Sequence, residues 1–485
     1  MVGFFLAPFV VHRLGNASYG VWILAVSSVG YLNLLDLGMR SSVLRFVSKG
    51  HTTQDHGGAS AALSAALWVR LQIAALILML SGGLAVAFPH MFKIPPALAL
   101  DAREAILVIG VTTALNLSVG VFGGVLSALN RYDLQSYVIL AQLGIRVSGI
   151  VVVLIAGHGI VAIAFCDLLA AIVGNGALVY IARSIYPELR IQLDKPKRDV
   201  LRDIWSYSVY AFLNMVAAQL IYQTDNLVVG AFVSSVAVTF YSIGNSLCRY
   251  TQQIVSAMTL TFTPAASAYE AGGDGTSLRA LYYNGTRATM AISLPIMITL
   301  LTRGRNFIGV WMGPQYSQMS GTVLVILGTA LLFSLFNNTG VAIAFGVEKH
   351  KQLAKWTIGE AIANLTLSIF LAIKFGIYGV AIGTLIPSLF VQLVLWPRYV
   401  SQLVSISYRE VFLKVWGPVF LCGVPFAVLS YAVDAFFPAR TMAMFILQTI
   451  FLLPIFVVSV GWIFRSSVRR RILPGIKSYF NAEAR

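Results

Sequence analysis

The stretch YGVWILAVSSVGYLNLLDLGMRSSVLRF, residues 19–46, decides the fold class. Residues 19–35 carry no charge. An α-helix rises about 1.5 Å per residue, so this run covers most of the roughly 30 Å hydrocarbon core of a bilayer. Charge returns at Asp36, Arg40 and Arg45. The stretch therefore predicts a membrane-spanning helix that ends in charged groups at one membrane face.

Composition extends this prediction to the whole chain. Of 485 residues, 58% are hydrophobic and 11% are charged, whereas a soluble domain carries roughly a quarter charged residues. Apolar runs of bilayer-spanning length predict thirteen helices, near 19–43, 61–88, 105–129, 136–156, 159–182, 205–233, 236–262, 286–302, 319–346, 353–374, 377–396, 413–433 and 441–464. The short run 1–11 predicts the truncated back half of a further first span, with the true start upstream. The expected fold is an all-α membrane protein of about fourteen helices.

The placement of basic residues predicts the orientation. With the short first run counted as span one, the loops after even-numbered spans and the tail hold 23 of the 34 Lys and Arg residues. The positive-inside bias puts these loops, and both termini, in the cytoplasm. The same bias accounts for most of the net charge of +16, so no nucleic-acid partner is predicted.

A weak internal repeat predicts the domain organisation. The segment GIVAIAFCDLL (159–169) resembles GIYGVAIGTLI (376–386) at an offset of 217 residues. We therefore predict two six-helix lobes related by a pseudo-twofold repeat, plus two extra helices. The predicted boundaries are an N-terminal lobe over 1–182, a basic linker over 183–204, a C-terminal lobe over 205–400, and two additional helices with a basic tail over 401–485.

The sequence offers no sign of an enzyme. The three Cys residues lie in three different spans, the six His residues show no metal-ligand spacing, and no phosphate-binding G-x-x-x-x-G-K-[ST] motif occurs. No soluble segment is long enough for a catalytic or nucleotide-binding domain. We predict no catalytic residue, cofactor or metal site.

Two segments resemble a known family. The opening LGNASYGVWILAVSSVGYLNLLDLGMRSSVLRFVSK (14–49) is similar to bacterial polysaccharide flippases, in which LG-x-x-x-YG-x-W precedes a span ending in L-D-L-G-x-x-x-x-x-x-R. These flippases are the polysaccharide-transport branch of the multidrug/oligosaccharidyl-lipid/polysaccharide exporter superfamily. YQTDNLVVGAFVSSVAVTFYSIGNSL, with TFTPAASAYEAGG downstream (222–273), resembles their Q-x-D-x-x-x-x-G and P-x-x-S pattern.

The resemblance implies a flippase of the bacterial inner membrane. Such a protein moves an oligosaccharide linked by pyrophosphate to undecaprenol between leaflets, by alternating access to a central cavity. Its expected partners are that lipid-linked oligosaccharide, membrane lipids, and the polymerase and glycosyltransferases of the same pathway. The alternatives are a cation-coupled multidrug antiporter or another lipid-linked exporter of the superfamily, and a membrane-embedded glycosyltransferase.

Charges inside membrane spans are costly and often functional. Asp36 and Arg40 stand at i,i+4, which predicts either a local ion pair or a substrate contact by Arg40. Arg146 and Asp167 fall at similar depth in neighbouring spans, which predicts a second pair. The predicted cavity residues are Arg40, Arg249, Arg146, Asp36, Asp225, Tyr222, Gln223 and Asn245.

Arg249 is the strongest substrate candidate of this set. No acid lies within four residues of it, and a guanidinium can hold pyrophosphate bidentately. The polar residues Asp225, Tyr222, Gln223 and Asn245 can contact sugar hydroxyls, or they can join helices to one another. Arg70 is expected to lie away from the cavity.

Overall fold

The computed structural model describes residues 2–36, 39–191, 216, 219, 223–349 and 351–461, without the side chains of 2, 39–42 and 351. Within these residues the regular structure is helical, with no strand. The α-helices are α1 Val2–Leu14, α2 Asn16–Gly30, α3 Met39–Thr52, α4 His56–Met91, α5 Ala99–Val119, α6 Val121–Ala128, α7 Tyr132–Ile155, α8 Ile160–Ile185, α9 over 223–232, α10 Ser235–Thr259, α11 Phe262–Ala271, α12 Gly275–Met312, α13 Pro314–Gly346, α14 Lys351–Phe390, α15 Trp396–Leu403, α16 Tyr408–Glu410, α17 Gly417–Phe436 and α18 Met442–Gly461.

Ten helical stretches in the described part of the chain are long and apolar enough to cross a membrane. One of them, Gln352–Leu403, has 52 residues and is broken at Gly376, whose backbone leaves the helical region with φ 57° and ψ −134°. It therefore supplies two passes, as the sequence predicts. The prediction of an all-α integral membrane protein is confirmed.

The chain forms two compact units, Met1–Thr239 and Phe240–Arg485. The first unit includes α9 and the first turn of α10, because both pack on α2. A Cβ atom added at Gly20 of α2 would lie 1.8 Å from the carbonyl oxygen of Ser235, and one added at Gly230 would lie 2.3 Å from the Leu24 side chain. Glycine at these two positions lets the helix backbones approach closely.

The two units repeat the same local conformations. Gln54 (φ 60°) precedes α4 and Gly273 (φ 65°) precedes α12, each in the left-handed region and 219 residues apart. The next residue in each case is an aspartate N-cap: Asp55 accepts a hydrogen bond from the amide of Gly58, and Asp274 from that of Ser277. Such caps satisfy amides that a helix leaves free at its start.

The predicted offset of 217 holds only after the turn that joins the last two helices of each repeat. In that turn Gly157 (φ 81°) corresponds to Gly376 (φ 57°), again 219 residues apart. The next helix begins at Ile160 in the first unit, three residues later, but at once after Gly376 in the second. The first turn is therefore two residues longer, and the offset changes from 219 to 217.

Helix packing on both sides of this turn follows the same two offsets. A Cβ atom at Gly149 would lie 3.0 Å from Cys166 Sγ, and one at Gly383 would lie 2.5 Å from Ser368 Oγ. Gly149 corresponds to Ser368 and Cys166 to Gly383. Each hairpin thus pairs a glycine with a small side chain at the same crossing, with the two roles exchanged.

The two additional helices, α17 and α18, are held by α12. Arg303 of α12 is fully buried. Its Nε lies 3.6 Å from Asp434 Oδ1 of α17, and its guanidinium lies 4.4 Å from the ring centre of Phe445 and donates to Gln448 of α18. The sequence-based prediction of an outer loop over 303–318 is therefore wrong, because α12 continues to Met312.

Irregular helix turns in this region follow from proline. Pro418 has no amide hydrogen, so the carbonyl of Lys414 four residues earlier loses its helical donor. The segment Val411–Trp416 is a π-helix, and Arg287 Nη2 donates to the Lys414 carbonyl at 2.5 Å. An arginine of α12 thus supplies the hydrogen bond that the proline removes.

Candidate functional site

Helix α10 carries a polar stripe along one face. Asn245, Arg249, Gln252 and Ser256 follow one another at spacings of four, three and four residues, which places them on one side of an α-helix. All four are half-buried, and Gln252 Nε2 donates to Ser256 Oγ at 3.3 Å. The sequence alone missed Ser256, although the spacing would have found it.

Arg249 is the cation of this stripe. Among the described residues it has neither an ion pair nor a hydrogen-bond partner, and its side chain is half-buried. A charged side chain in a membrane-spanning helix is expensive unless it meets water, a counter-ion or a ligand. Arg249 is therefore available to an anionic ligand, as the sequence predicts.

The polar residues of α9 contact α2. Gln223 Oε1 accepts from Ser27 Oγ at 3.2 Å, and the hydroxyls of Tyr31 and Thr224 are 2.5 Å apart. Asp225 is 4% exposed. The structure thus places Gln223 and Asp225 in helix–helix packing, the second of the two roles that the sequence left open. Sequence reasoning missed the partners Ser27, Tyr31 and Thr224.

Asp36 has a different partner from the one predicted. Its Oδ1 lies 2.5 Å from Nη2 of Arg70 in α4. The local Asp36–Arg40 pair assumed a regular α-helix, but Tyr31–Asp36 is a 3₁₀-helix and α3 begins only at Met39. Residues i and i+4 share a face in an α-helix and not across such a break. The side chain of Arg40 lies outside the described residues.

The predicted pair between Arg146 and Asp167 is present. Arg146 Nε of α7 lies 2.6 Å from Asp167 Oδ1 of α8, with the two side chains 49% and 19% exposed. The pair keeps the Arg146 charge inside the membrane span matched by an acid. Tyr222, also predicted for the cavity, lies outside the described residues.

The chain matches the family model for polysaccharide biosynthesis proteins over residues 14–321. It is 22% identical to the membrane protein EpsK of Bacillus subtilis, over 85% of this chain and 82% of EpsK. It is also 22% identical to the probable low-salt glycan biosynthesis flippase Agl15 of Haloferax volcanii, over 83% of this chain and 80% of Agl15.

Solved structures show the same fold at low sequence identity. The lipid II flippase MurJ in an inward closed conformation superposes with a TM-score of 0.76 and 14% identity, covering 96% of this chain and 97% of MurJ. An inward-facing multidrug resistance MATE family transporter superposes with a TM-score of 0.69 and 15% identity, covering 83% of this chain and 98% of the transporter. The family model covers well over half of the chain, so this protein belongs to the family of polysaccharide biosynthesis proteins.

Proposed function

We propose that the protein is a flippase that moves oligosaccharides linked to undecaprenyl pyrophosphate from the cytoplasmic to the outer leaflet of the bacterial inner membrane. It works by alternating access and is not an enzyme. Its partners are the lipid-linked oligosaccharide and the membrane lipids, with the polymerase and glycosyltransferases of the pathway acting before and after it. The observation that carries the proposal is the half-buried Arg249, which has no ion pair in the described part of the chain.

The chemistry of the α10 stripe suits this cargo. A guanidinium stays charged at all working pH values and binds phosphate oxygens through two parallel hydrogen bonds. The neighbouring amides of Asn245 and Gln252 offer both donors and acceptors, which sugar hydroxyls require. A drug cation would instead need an acid in place of Arg249. The relatives named as flippases support the same cargo class.

Polymer export tests the role of Arg249. In cells that lack the native gene, we expect Arg249→Ala to lower export about tenfold to hundredfold, because one or two charge-assisted hydrogen bonds of about 1.5–3 kcal/mol are lost. Arg249→Lys should restore part of the activity. The matched control is Arg131→Ala, since Arg131 is paired at 3.0 Å with Asp133 in the same turn. Equal export by Arg249→Ala and wild type, at matched membrane levels, would contradict the proposal.

The proposed direction of transport needs both termini in the cytoplasm. A reporter that is active only outside the cytoplasm should work when fused after Gly157 and fail when fused after Thr53. These positions lie in the turns before α8 and α4. The reverse pattern would overturn the orientation while leaving the family assignment intact.

A cation-coupled exporter is the second candidate, and Glu360 of α14 favours it. Its carboxylate accepts a hydrogen bond from Ser388 and has no ion pair among the described residues. It begins a buried polar seam in which Ser368 Oγ donates to Asn364 Oδ1 at 2.9 Å. If a cation gradient drives export, Glu360→Gln should abolish the dependence of export on that gradient. If wild-type export is independent of proton and sodium gradients, this candidate fails.

A further inference from the structure

The end of α2 is wound in an unusual way. Tyr31–Asp36 is a 3₁₀-helix of six residues, whereas 3₁₀ segments longer than three or four residues are uncommon because their hydrogen bonds are poorly aligned. Both ends of the segment are tied to other helices. The Tyr31 hydroxyl bonds to Thr224, and Asp36 bonds to Arg70. A segment this long must be held by its surroundings.

Arg70 joins this segment to a second irregularity. Its Nη2 binds Asp36 at 2.5 Å, and its Nη1 donates to the carbonyl of Leu117 at 2.8 Å. Leu117 lies in the last turn of α5, which ends where Gly120 separates it from α6. Carbonyls in a last turn lack helical donors, so the guanidinium supplies one. Arg70 is 2% exposed. We call this set of contacts the Arg70 bridge.

The second unit shows what the same position looks like without the bridge. At the offset of 219, Asp36 corresponds to Val255 and Arg70 to Thr289. Both counterparts are fully buried, and Thr289 bonds to the Thr339 hydroxyl at 3.2 Å. Here α10 stays α-helical through Val255 and α13 runs without a break from Pro314 to Gly346. The guanidinium and the two irregular helices therefore occur together in one unit and are absent together in the other.

We propose that Tyr31–Asp36 is a screw hinge locked by the Arg70 bridge, and that Arg70 is a positioning residue for transport. With the bridge made, the segment is held as a 3₁₀-helix. With the bridge released, it returns to the α-helix that its counterpart adopts in the second unit. The local physics of the hinge is independent of cargo, while its part in transport rests on the proposed flippase function.

The conversion has a calculable size. A 3₁₀-helix rises about 2.0 Å per residue and an α-helix about 1.5 Å, so six residues shorten by about 3 Å. The turn per residue changes from about 120° to about 100°, so the same six residues rotate α3 relative to α2 by about 120°. A screw motion of this kind changes which face of α3 points in a given direction, without unfolding either helix.

A spin-label distance tests the hinge. Cysteines replace the exposed Val26 of α2 and Lys49 of α3 in a background without native cysteines, and the distance between the two labels is measured by pulsed electron resonance in detergent or nanodiscs. The test variant is Asp36→Val with Arg70→Thr, which installs the residues of the second unit. We expect a distance about 3 Å shorter than in the parent protein.

The control variant is matched to the test. Arg146→Leu with Asp167→Thr removes the other ion pair of the first unit and also installs its second-unit counterparts. It should leave the distance between the labels unchanged. If the test variant does not fold, Asp36→Asn, which keeps the shape but weakens the bond to Arg70, should show a second population at the shorter distance. An unchanged distance in every Asp36 and Arg70 variant that folds overturns the proposal.

Export separates the two parts of the inference. In folded protein at matched levels, the test variant should lose export at least tenfold, because the hinge no longer alternates. If the distance shortens while export is unchanged, the hinge has no part in transport and the positioning role of Arg70 is wrong, although the flippase function stands. If Arg249→Ala does not affect export, the flippase proposal fails, but the distance measurement keeps its meaning.

Discussion

The buried Arg303 gives a sharp prediction about what holds α17 and α18 to the second unit. The change is Arg303→Met, which keeps a long apolar stem and removes the guanidinium. Asp434 and Gln448 then lose their shared partner, and the contact with the Phe445 ring, now at 4.4 Å, loses its cation. The fold should survive, because the helices remain apolar and keep their other contacts.

The magnitude follows from these contacts. Breaking a buried ion pair costs about 3–5 kcal/mol, since one charge stays behind in a poor environment. The side chain of Asp434 is 24% exposed, so partial hydration lowers this cost, while the lost cation–π contact adds about 1–2 kcal/mol. We expect Arg303→Met to lower the free energy of unfolding by about 3 kcal/mol.

A double-mutant cycle makes the prediction specific. Arg303→Met combined with Asp434→Leu removes both charges, so the double variant should come within about 1 kcal/mol of wild type. The control is Arg305→Met, two residues further along α12. Arg305 is exposed, and its Nη2 donates to Thr322 at 3.2 Å. The control should change stability by no more than about 0.5 kcal/mol.

The assay is unfolding in mixed micelles of dodecyl sulfate and a mild detergent, followed by circular dichroism and tryptophan fluorescence. The reasoning is refuted if Arg303→Met loses no more stability than Arg305→Met. It is also refuted if the double variant is as unstable as Arg303→Met alone, because the cost would then not come from an uncompensated Asp434.

Three further outcomes follow from the packing and the caps. Gly20→Leu should abolish accumulation of folded protein, measured by size-exclusion chromatography, because a side chain there meets the backbone of Ser235, whereas Gly144→Leu should be tolerated, since open space surrounds that position. Asn175→Leu should lower the free energy of unfolding by about 1–3 kcal/mol, because it leaves a buried amide of α5 without its partner. Hydrogen bonds from the Ser277 hydroxyl and amide lower the pKa of Asp274; hydrogen exchange at the start of α12 should therefore be slow above the usual aspartate pKa, quicken as the pH falls through the lowered value, and lose this dependence in Asp274→Ala.

The membrane spans could be predicted from the sequence because the bilayer imposes one simple requirement, namely an apolar run of sufficient length. That requirement also fixed the break at Gly376, where two runs follow one another. It fails where a charge is buried by distant residues. Hydropathy ends a span at Arg303, since nothing nearby in the sequence announces Asp434 or Gln448 as partners.

The embedded pairs were predictable only where helix geometry is regular. Arg146 and Asp167 could be paired because each depth follows from a constant rise per residue along an α-helix. The same arithmetic misassigned the partner of Asp36, because the segment before it is a 3₁₀-helix and its sequence is as apolar as the rest of the span. Only the tertiary position of Arg70 reveals that winding.

The polar stripe of α10 has no equivalent in α2. At the offset of 219, Asn245 corresponds to Val26, Arg249 to Gly30 and Gln252 to Asn33. The duplication preserved the backbone of this helix but not its chemistry, so the protein has a symmetric frame with a one-sided charge. An anionic cargo held by Arg249 can therefore bind in one orientation and not in its mirror equivalent, which makes the polarity of the cargo a property of a single repeat.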